Sequence, residues 1–377
     1  MNKNNTTRLV GIDLLRAILI ILGVFYHASL VVAPTSWVYA SPHYDSYTIG
    51  LFFEFFHLFR METFFLLSGF FSTLILEKKG KAYYIENRKN RILIPSIFLF
   101  LLIGIPQYYF LIYNGKFNYD SMISHFWFLQ TLIAFIAIQY FYLNKINYKK
   151  HILVSLFFYF LALPTYYLFS KIEIINLFHE SISNIFKYLI YYIIGIYFYL
   201  NYEELIKKIR NNFIKISTIA LIISIILLIL TKIIWERNGF LFPATTPKNI
   251  TLFLEKFTLY DIAIPSLQLI NALCISFILI YIFSKINHTN EQIIFIVKSS
   301  LCVYILHHPL IIIFGKILDN YNLNLFSYFI LLSTISFLIP CFIFYFFRGT
   351  SIFDKIFGLD SINSKVINKI LESNQEN

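Results

Sequence analysis

The chain has 377 residues, of which 58% are hydrophobic and only 14% are charged. About a quarter of the residues of an ordinary soluble domain are charged, so this composition excludes a water-soluble fold and indicates that lipid takes the place of a protein core. The net charge of +11 does not indicate a nucleic-acid partner, because lysine and arginine gather in alternate connections between apolar segments, as membrane topology requires. We therefore expect an all-α, polytopic integral membrane protein in contact with the lipid bilayer.

Ten apolar segments approach or exceed the roughly 20 residues that a transmembrane helix needs. They cover residues 10–33, 49–76, 92–113, 124–143, 151–170, 183–200, 214–235, 262–283, 299–318 and 323–347. With the N-terminus in the cytoplasm, 22 of the 31 Lys and Arg residues fall in cytoplasmic segments and six in outer connections. This asymmetry predicts that both termini are cytoplasmic. We expect residues 1–350 to form a single transmembrane domain and residues 351–377 a polar cytoplasmic tail.

The first predicted span carries ionisable side chains that would be costly against lipid, roughly 2.5–3.5 kcal/mol each. Asp13 precedes Arg16 by one helical turn and can pair with it. Arg16 and His27 are eleven residues apart, so they share a helix face and stand about 16 Å apart along its axis. Two readings are open for these residues. They belong to a functional site, or they are an interfacial ion pair and a hydrogen-bonded packing histidine.

The second predicted span contains a ribbon of polar residues. Glu54, His57 and Arg60 follow one another at steps of three, and Glu62 is offset from them. These four residues are candidates for a catalytic cluster or for a self-neutralised network that locks helices together. The following "SGFF" places Ser68 where a backbone can approach closely.

The connection to the third span ends in "ENRKNRILIP". Arg88 and Arg91 lie three residues apart on one helix face, with Lys89 beside them. Guanidinium groups match the geometry of phosphate oxygens, although ordinary positive-inside charge is the alternative explanation. Pro95 predicts a kink just inside the bilayer.

Further histidines occur in "SHFWFLQ", which contains His125, and in "YILHHPL", which contains His307 and His308. Adjacent histidines on a helix point about 100° apart, and no H-x-x-x-H or similar spacing occurs, so we expect no metal site. The sequence also lacks G-x-S-x-G, a Walker loop and a Rossmann fingerprint, which argues against a hydrolase, an ATPase and a dehydrogenase.

Taken in order, these motifs resemble the acyltransferase 3 family of bacterial membrane acyltransferases, and most closely its glucan-biosynthesis branch. The likeness rests on Arg16 and His27 with ten residues between them, on Arg88 and Arg91 before Ile-x-Pro, and on "FFLLSGFF", "HFWFL" and "YILHHP". The chain departs from that branch at Glu62, where the branch tends to have proline. In the doubled histidine, His307 is favoured for the family position because Pro309 follows two residues later.

The resemblance implies transfer of an acyl group from cytoplasmic acyl-CoA to a hydroxyl of an extracytoplasmic glycan. It implies a bacterial inner (cytoplasmic) membrane protein that uses acyl-CoA, such as acetyl- or succinyl-CoA, as a co-substrate and holds no permanent cofactor. The candidate catalytic residues are then His27, Arg16, Asp13, Glu54, His57, Arg60, Glu62 and His307. The candidates for binding the donor are Arg88, Arg91, Arg16, Lys89 and Ser68.

Two other classes remain open from the sequence. A proton-coupled transporter would also use intramembrane His, Glu and Arg residues, but such proteins commonly show internal repeats and none is visible here. A non-catalytic sensor or scaffold would use the same residues for helix association alone.

Overall fold

The computed structural model of the chain describes residues 10–34, 37–113, 115, 122–143, 148–169, 179–238, 260–286 and 290–359. Within these ranges every regular element is a helix. The helices are α1 (Val10–Val32), α2 (Tyr47–Arg88), α3 (89–112), α4 (Trp127–Ile138), α5 (Tyr148–Phe169), α6 (His179–Leu200), α7 (Tyr202–Asn211), α8 (Phe213–Asn238), α9 (Tyr260–Phe283), α10 (Glu291–Leu318), α11 (Leu325–Phe347) and α12 (Ser351–Ile356).

Three of the long helices begin at side-chain caps that the sequence supplies. Ser46 precedes α2, Asn290 precedes α10 and Asn324 precedes α11, and each accepts a hydrogen bond from the backbone N–H three residues later. Such caps satisfy one of the free N–H groups at a helix start. They fix where these three apolar segments enter the helical bundle.

Among the described residues, eight helices are long and apolar enough to cross a membrane. The difference from the ten predicted spans has two sources. Residues Tyr47–Ile112 form one nearly continuous helical run that holds the predicted second and third spans, and the apolar part of α5, Lys150–Tyr166, is short. The structure confirms an all-α polytopic membrane protein, whereas the count of ten and the cytoplasmic termini stay predictions. Most of the predicted tail, from residue 360, lies outside the described residues.

The run from α2 into α3 is broken and widened at particular residues. Gly80 interrupts α2 with φ 78°, a left-handed conformation that glycine adopts at low cost. In α3, wide π-helical turns at Lys89–Leu93 and Phe100–Gly104 immediately precede the helical turns that hold Pro95 and Pro106. A proline ring crowds the carbonyl four residues before it, and in both cases that carbonyl falls inside a wide turn. The sequence predicted the irregularity at Pro95.

Helix α2 is the central element of the bundle and contacts α1, α4, α6, α8 and α9, while α1 also packs on α10 and α11. The contact between α2 and α6 is a close backbone approach. A Cβ on Gly69 would lie 2.0 Å from the Tyr192 carbonyl oxygen, and a Cβ on Gly195 would lie 1.9 Å from that of Leu66. The predicted close approach at "SGFF" is therefore present. This packing brings the polar faces of α1, α2 and α10 together.

Candidate active site

The first feature of the site is a histidine pair between α1 and α10. His27 Nδ1 lies 2.9 Å from His307 Nε2, and His307 Nδ1 lies 3.0 Å from the Val303 carbonyl oxygen. Because a carbonyl only accepts, His307 Nδ1 is the donor in that bond. When both rings are neutral, His307 Nε2 therefore accepts from His27 Nδ1–H. His27 Nε2 is then left with a free lone pair, which suits it to take a proton.

Two more histidines surround this pair: His308 has a partner on each ring nitrogen, and His125 has one through Nε2, while its buried Nδ1 has none among the described residues. Gln107 donates to His308 Nδ1 at 2.7 Å, and His308 Nε2 lies 3.2 Å from the Ser124 hydroxyl oxygen. His125 Nε2 donates to the Ile305 carbonyl oxygen at 3.2 Å. Both His125 and His308 are buried, whereas His27 is partly exposed. Among the described residues, His27 is therefore the member of this cluster that a substrate can reach.

Four histidine rings in contact raise the question of a metal. The His125 and His308 rings stack with centroids 4.7 Å apart, and the His27 and His308 rings meet edge to face at 5.5 Å. Within the described ranges, no three His, Cys, Asp or Glu side chains are arranged to hold a metal ion. The hydrogen bonds above account for the arrangement of the rings.

The polar ribbon of α2 packs against α1 next to His27. Arg60 occupies the space that Gly23 leaves open, since a Cβ there would lie 2.1 Å from Arg60 Nη1. Gly23 is one turn before His27 on the same face. The Arg60 guanidinium lies 5.5 Å from the centre of the Tyr26 ring, which stacks on His57 at 4.1 Å. A buried guanidinium is thus held one turn from the free nitrogen of His27.

The two carboxylates of the ribbon face different neighbours. Glu54 lies beside the hydroxyl of Tyr26, in the group that contains His57 and Arg60. Glu62 turns toward α6, where its Oε1 lies 3.8 Å from Lys187 Nζ. The three residues that the sequence placed on the ribbon therefore lie next to α1, and Glu62, which it placed off the ribbon, forms an ion pair with α6.

A cavity of about 1730 Å³ opens between α1, α2, α3, α4, α10, α11 and α12, at the end of the bundle that the charge distribution predicts to be cytoplasmic. Seven basic and three acidic residues line it, so its wall is positive. They are Arg16, Lys78, Lys79, Arg88, Arg91, Lys298 and Arg348, with Asp13, Glu291 and Asp354. Ser68 also lines the cavity. Of the predicted donor-binding residues, Lys89 is not on this wall and pairs with Glu86 at 3.6 Å.

Two of the arginines converge at Phe71. The Arg16 guanidinium lies 5.0 Å from the centre of the Phe71 ring, and its Nη2 is 3.2 Å from Asp13 Oδ1. Arg88 Nη2 donates to the Phe71 carbonyl oxygen at 3.4 Å. Guanidinium groups from α1 and α2 are thus fixed side by side on the cavity wall.

The deep end of the cavity is closed by aromatic rings. Phe64, Phe128 and Tyr304 line it there, and the Phe128 and Tyr304 rings meet at 5.6 Å. The Tyr304 hydroxyl donates to the His125 carbonyl oxygen, and its ring centre is 6.1 Å from that of His307. His27 itself is not part of the cavity wall. One aromatic layer, with Tyr304 at its centre, separates the cavity from the histidines.

Sequence reasoning did not single out several residues that contact the site. Trp37, beyond the end of α1, packs its ring 5.6 Å from His27 and 4.9 Å from His308. Gly23 and Tyr26 were read as part of an apolar helix. Lys187 did carry a signal, because it is a charged residue within a predicted span, but its partner Glu62 lies 125 positions earlier in the chain.

Comparison with known proteins identifies the family of this chain. The profile of the acyltransferase domain family matches residues 9–346. The chain belongs to the acyltransferase 3 family. It is similar to glucans biosynthesis protein C of Escherichia coli O81 (strain ED1a), with 25% identity over 351 residues, which is 84% of this chain and 85% of that protein. The same protein of Escherichia coli K12 gives the same identity and coverage. No solved structure matches.

Membership of the acyltransferase 3 family confirms the resemblance drawn from the motifs. Together with the membrane-spanning helices, it makes the chain a multi-pass membrane acyltransferase. It also favours acyl transfer over transport as the use of the intramembrane histidines. The His27–His307 pair and the cavity are the parts of this acyltransferase 3 fold with the chemistry that such a reaction needs.

Proposed function

We propose that the protein transfers an acyl group from acyl-CoA, bound in the basic cavity, to a hydroxyl of a glycan that reaches His27 from the opposite side of the bacterial inner membrane. The observation that carries this proposal is that a positive cavity ends one aromatic layer from a histidine with a free ring nitrogen. The relatives named glucans biosynthesis protein C support a glucan or a similar polysaccharide as the acceptor.

The donor fits the cavity by charge and by shape. Coenzyme A carries several phosphate charges, and Arg16, Arg88 and Arg91 offer the bidentate donors that phosphate oxygens prefer. Its pantetheine arm is long, thin and nearly neutral, which suits the apolar deep half of the cavity. Arg16 and His27 stand about 16 Å apart along α1, so the arm bridges the phosphate site and the histidines.

The chemistry follows from the free lone pair of His27. A sugar hydroxyl is a weak nucleophile at neutral pH, and His27 Nε2 accepts its proton as the oxygen attacks the thioester carbonyl carbon. When the tetrahedral intermediate collapses, the carbon–sulfur bond breaks and His27 returns the proton to the departing sulfur. His307 holds His27 in the tautomer that keeps Nε2 free, and Arg60 stabilises the negative charge on the carbonyl oxygen.

A covalent route uses the same nitrogen. In that route His27 Nε2 attacks the thioester, coenzyme A leaves, and the glycan hydroxyl then takes the acyl group from the histidine. Both routes require the donor to pass Tyr304. The side chain of Tyr304 therefore has to turn aside when the thioester approaches.

The test is a transfer assay with purified protein in lipid nanodiscs. Acetyl-CoA and succinyl-CoA are supplied separately with a mixture of short glucose oligosaccharides, and the products are analysed by mass spectrometry. We expect acylated oligosaccharide and free coenzyme A in equal amounts with one of the donors. Release of coenzyme A without any acylated sugar, or no release with either donor, would contradict the proposal.

A further inference from the structure

The polar atoms between α1, α2 and α6 are incompletely satisfied. Glu54, Arg60 and Glu62 are at most 7% exposed. Among the residues that the structure describes, however, Glu54 Oε2, Arg60 Nε and Glu62 Oε2 have no hydrogen-bond partner, and neither has His57 Nδ1. Buried polar atoms in folded proteins are nearly always hydrogen-bonded, so four such atoms in one region require an explanation.

A network that serves only to lock helices together does not explain them. Such a network is stable when its members satisfy one another, because a half-satisfied buried network is worse than an apolar contact. Here Glu62 pairs with Lys187 at a long 3.8 Å, and the remaining lone pairs and N–H groups point to no protein group in the described ranges. The arrangement is that of a site whose hydrogen bonds are completed by a ligand.

Lys187 shows where this site is open. It lies eight residues into α6, about 12 Å along the helix axis, yet its side chain is 37% exposed. An ammonium group facing lipid at that depth is costly, so its exposure indicates a polar space. The ammonium lies 4.9 Å from the centre of the Tyr188 ring, which stacks on Trp127 at 5.5 Å. An aromatic wall therefore stands beside the ion pair.

The composition of this region defines the ligand. Hydroxyl groups of a sugar both donate and accept, and so they can bond carboxylate oxygens and the ammonium together, while the C–H face of the sugar ring packs on an aromatic ring. Two carboxylates, Glu54 and Glu62, are balanced by Arg60 and Lys187. A neutral sugar therefore suits the region better than an anion.

We propose that Glu62, Lys187, Tyr188 and Trp127 form the acceptor subsite and hold a neutral sugar unit next to His27. The Arg60 guanidinium interacts electrostatically with both Glu62 and Tyr188 and packs at Gly23, one turn from His27, so the subsite borders the reaction centre. This inference rests on the proposed function, and it assigns Glu62 to acceptor binding instead of to the chemical step.

The test compares Lys187→Gln, Glu62→Gln and Trp127→Leu with the wild type in nanodiscs. Three quantities are measured: the acceptor KM in the transfer assay, equilibrium binding of a short glucose oligosaccharide without donor, and equilibrium binding of coenzyme A. We expect each variant to weaken acceptor binding at least tenfold and to leave coenzyme A binding unchanged. The matched control is Lys232→Gln, which breaks the exposed ion pair between Lys232 and Glu236 on α8 and should change none of these quantities.

A charge exchange separates the subsite from a structural lock. In the double variant Glu62→Lys with Lys187→Glu, the ion pair is restored with its direction reversed. A lock predicts recovery of both the melting temperature and the acceptor KM, and that result would overturn the subsite. The subsite predicts recovery of the melting temperature alone.

Unchanged acceptor KM in all three single variants would overturn the subsite while the active wild type upholds the proposed function. A wild type that binds and acylates no oligosaccharide would overturn both.

Discussion

At the scale of single residues, His27 is the group on which the proposed reaction depends. General-base catalysis contributes about 10²–10⁴-fold to a rate, so His27→Ala should lower kcat by that factor while coenzyme A still binds in the cavity. The measurement is kcat in the transfer assay together with coenzyme A affinity. His43→Ala, which changes an exposed histidine of the loop after α1, is the control and should keep full activity. Wild-type kcat in His27→Ala would remove this residue from the chemistry.

In the proposed reaction His307 acts through His27 and is a positioning residue. His307→Ala removes the acceptor for His27 Nδ1–H, so the ring is free to turn or to change tautomer, and kcat should fall with both KM values unchanged. His307→Gln offers a side-chain carbonyl oxygen to the same N–H and should recover part of the loss. Equal kcat in the Ala and Gln variants would show that the hydrogen bond at 2.9 Å does not support catalysis.

The same residues also show which features of the candidate site could be predicted from the sequence. The spacing of Arg16 and His27 gave their shared helix face and their separation, because helical periodicity is local. It could not give the bond between His27 and His307, whose positions are 280 residues apart. The choice of His307 came from the following proline and stays a prediction. In the structure His307 is the histidine bonded to His27, while the nitrogens of His308 have partners in Gln107 and Ser124.

At the scale of helices, two glycines have opposite roles and can be distinguished experimentally. A Cβ on Gly69 meets the backbone carbonyl of Tyr192, which cannot move without separating α2 from α6. Overpacking of this kind costs about 1–3 kcal/mol, so Gly69→Ala should lower the melting temperature measurably.

A Cβ on Gly23 instead meets the flexible end of Arg60. Gly23→Ala should therefore fold normally but lose activity, because the guanidinium is displaced from His27. A melting temperature of Gly69→Ala equal to wild type, or full activity in Gly23→Ala, would contradict these assignments.

The loop after α1 is tied to the end of α10. The Tyr39 hydroxyl donates to Asp319 Oδ2, and the Ser41 hydroxyl lies 2.5 Å from Asp319 Oδ1. Burial and the neighbouring Asp319 carboxylate raise the pKa of Tyr39 above its usual value, so the hydroxyl stays protonated and keeps donating at neutral pH. This tie holds Trp37 over His27.

Loss of the tie should loosen the loop without unfolding the bundle. Asp319→Ala should increase backbone hydrogen exchange in residues 37–46 and lower kcat, since Trp37 no longer holds the His27 ring. Asp45→Ala, a change at an exposed carboxylate of the same loop, is the control. Exchange rates in Asp319→Ala that match those of Asp45→Ala would contradict a tie at Asp319.

Sequence predicted the elements themselves well, because long apolar segments and proline positions are local signals. Pro95 was expected to disturb its helix, and the wide turn before it agrees. The nearly continuous run from α2 to α3 was not expected. The polar stretch around Gly80 reads as a connection between spans, yet it stays helical on either side of one left-handed glycine.

At the scale of the whole molecule, we expect the distribution of positive charge to serve both topology and donor binding. Arg88→Ala combined with Arg91→Ala should weaken coenzyme A binding at least tenfold, since hydrogen bonds to charged groups contribute about 1.5–3 kcal/mol each. The affinity for the glucose oligosaccharide should stay unchanged. Lys207→Ala combined with Arg210→Ala removes two charges from α7, which does not line the cavity, and is the matched control. Equal coenzyme A affinity in both double variants would leave Arg88 and Arg91 with a topological role alone.

The cavity itself could not be predicted from the sequence. Charge counts predicted the side on which a phosphate-bearing donor would bind, but a cavity is a property of how seven helices pack. Its floor at Tyr304 depends on rings from α2, α4 and α10 meeting at one depth. Residues such as Phe64 and Phe128, which sequence reads as lipid-facing or core, acquire a role only in that packing.

The thin aromatic floor beneath the cavity has an electrical consequence. Where water and ions fill the cavity, most of the membrane voltage falls across the short stretch between Tyr304 and the outer surface, instead of across the full bilayer thickness of about 30 Å. A unit charge that crosses the whole drop changes energy by about 2.3 kcal/mol per 100 mV. In the proposed reaction, proton movement at His27 therefore takes place inside a concentrated electric field, and we expect turnover in energised vesicles to respond to the applied potential.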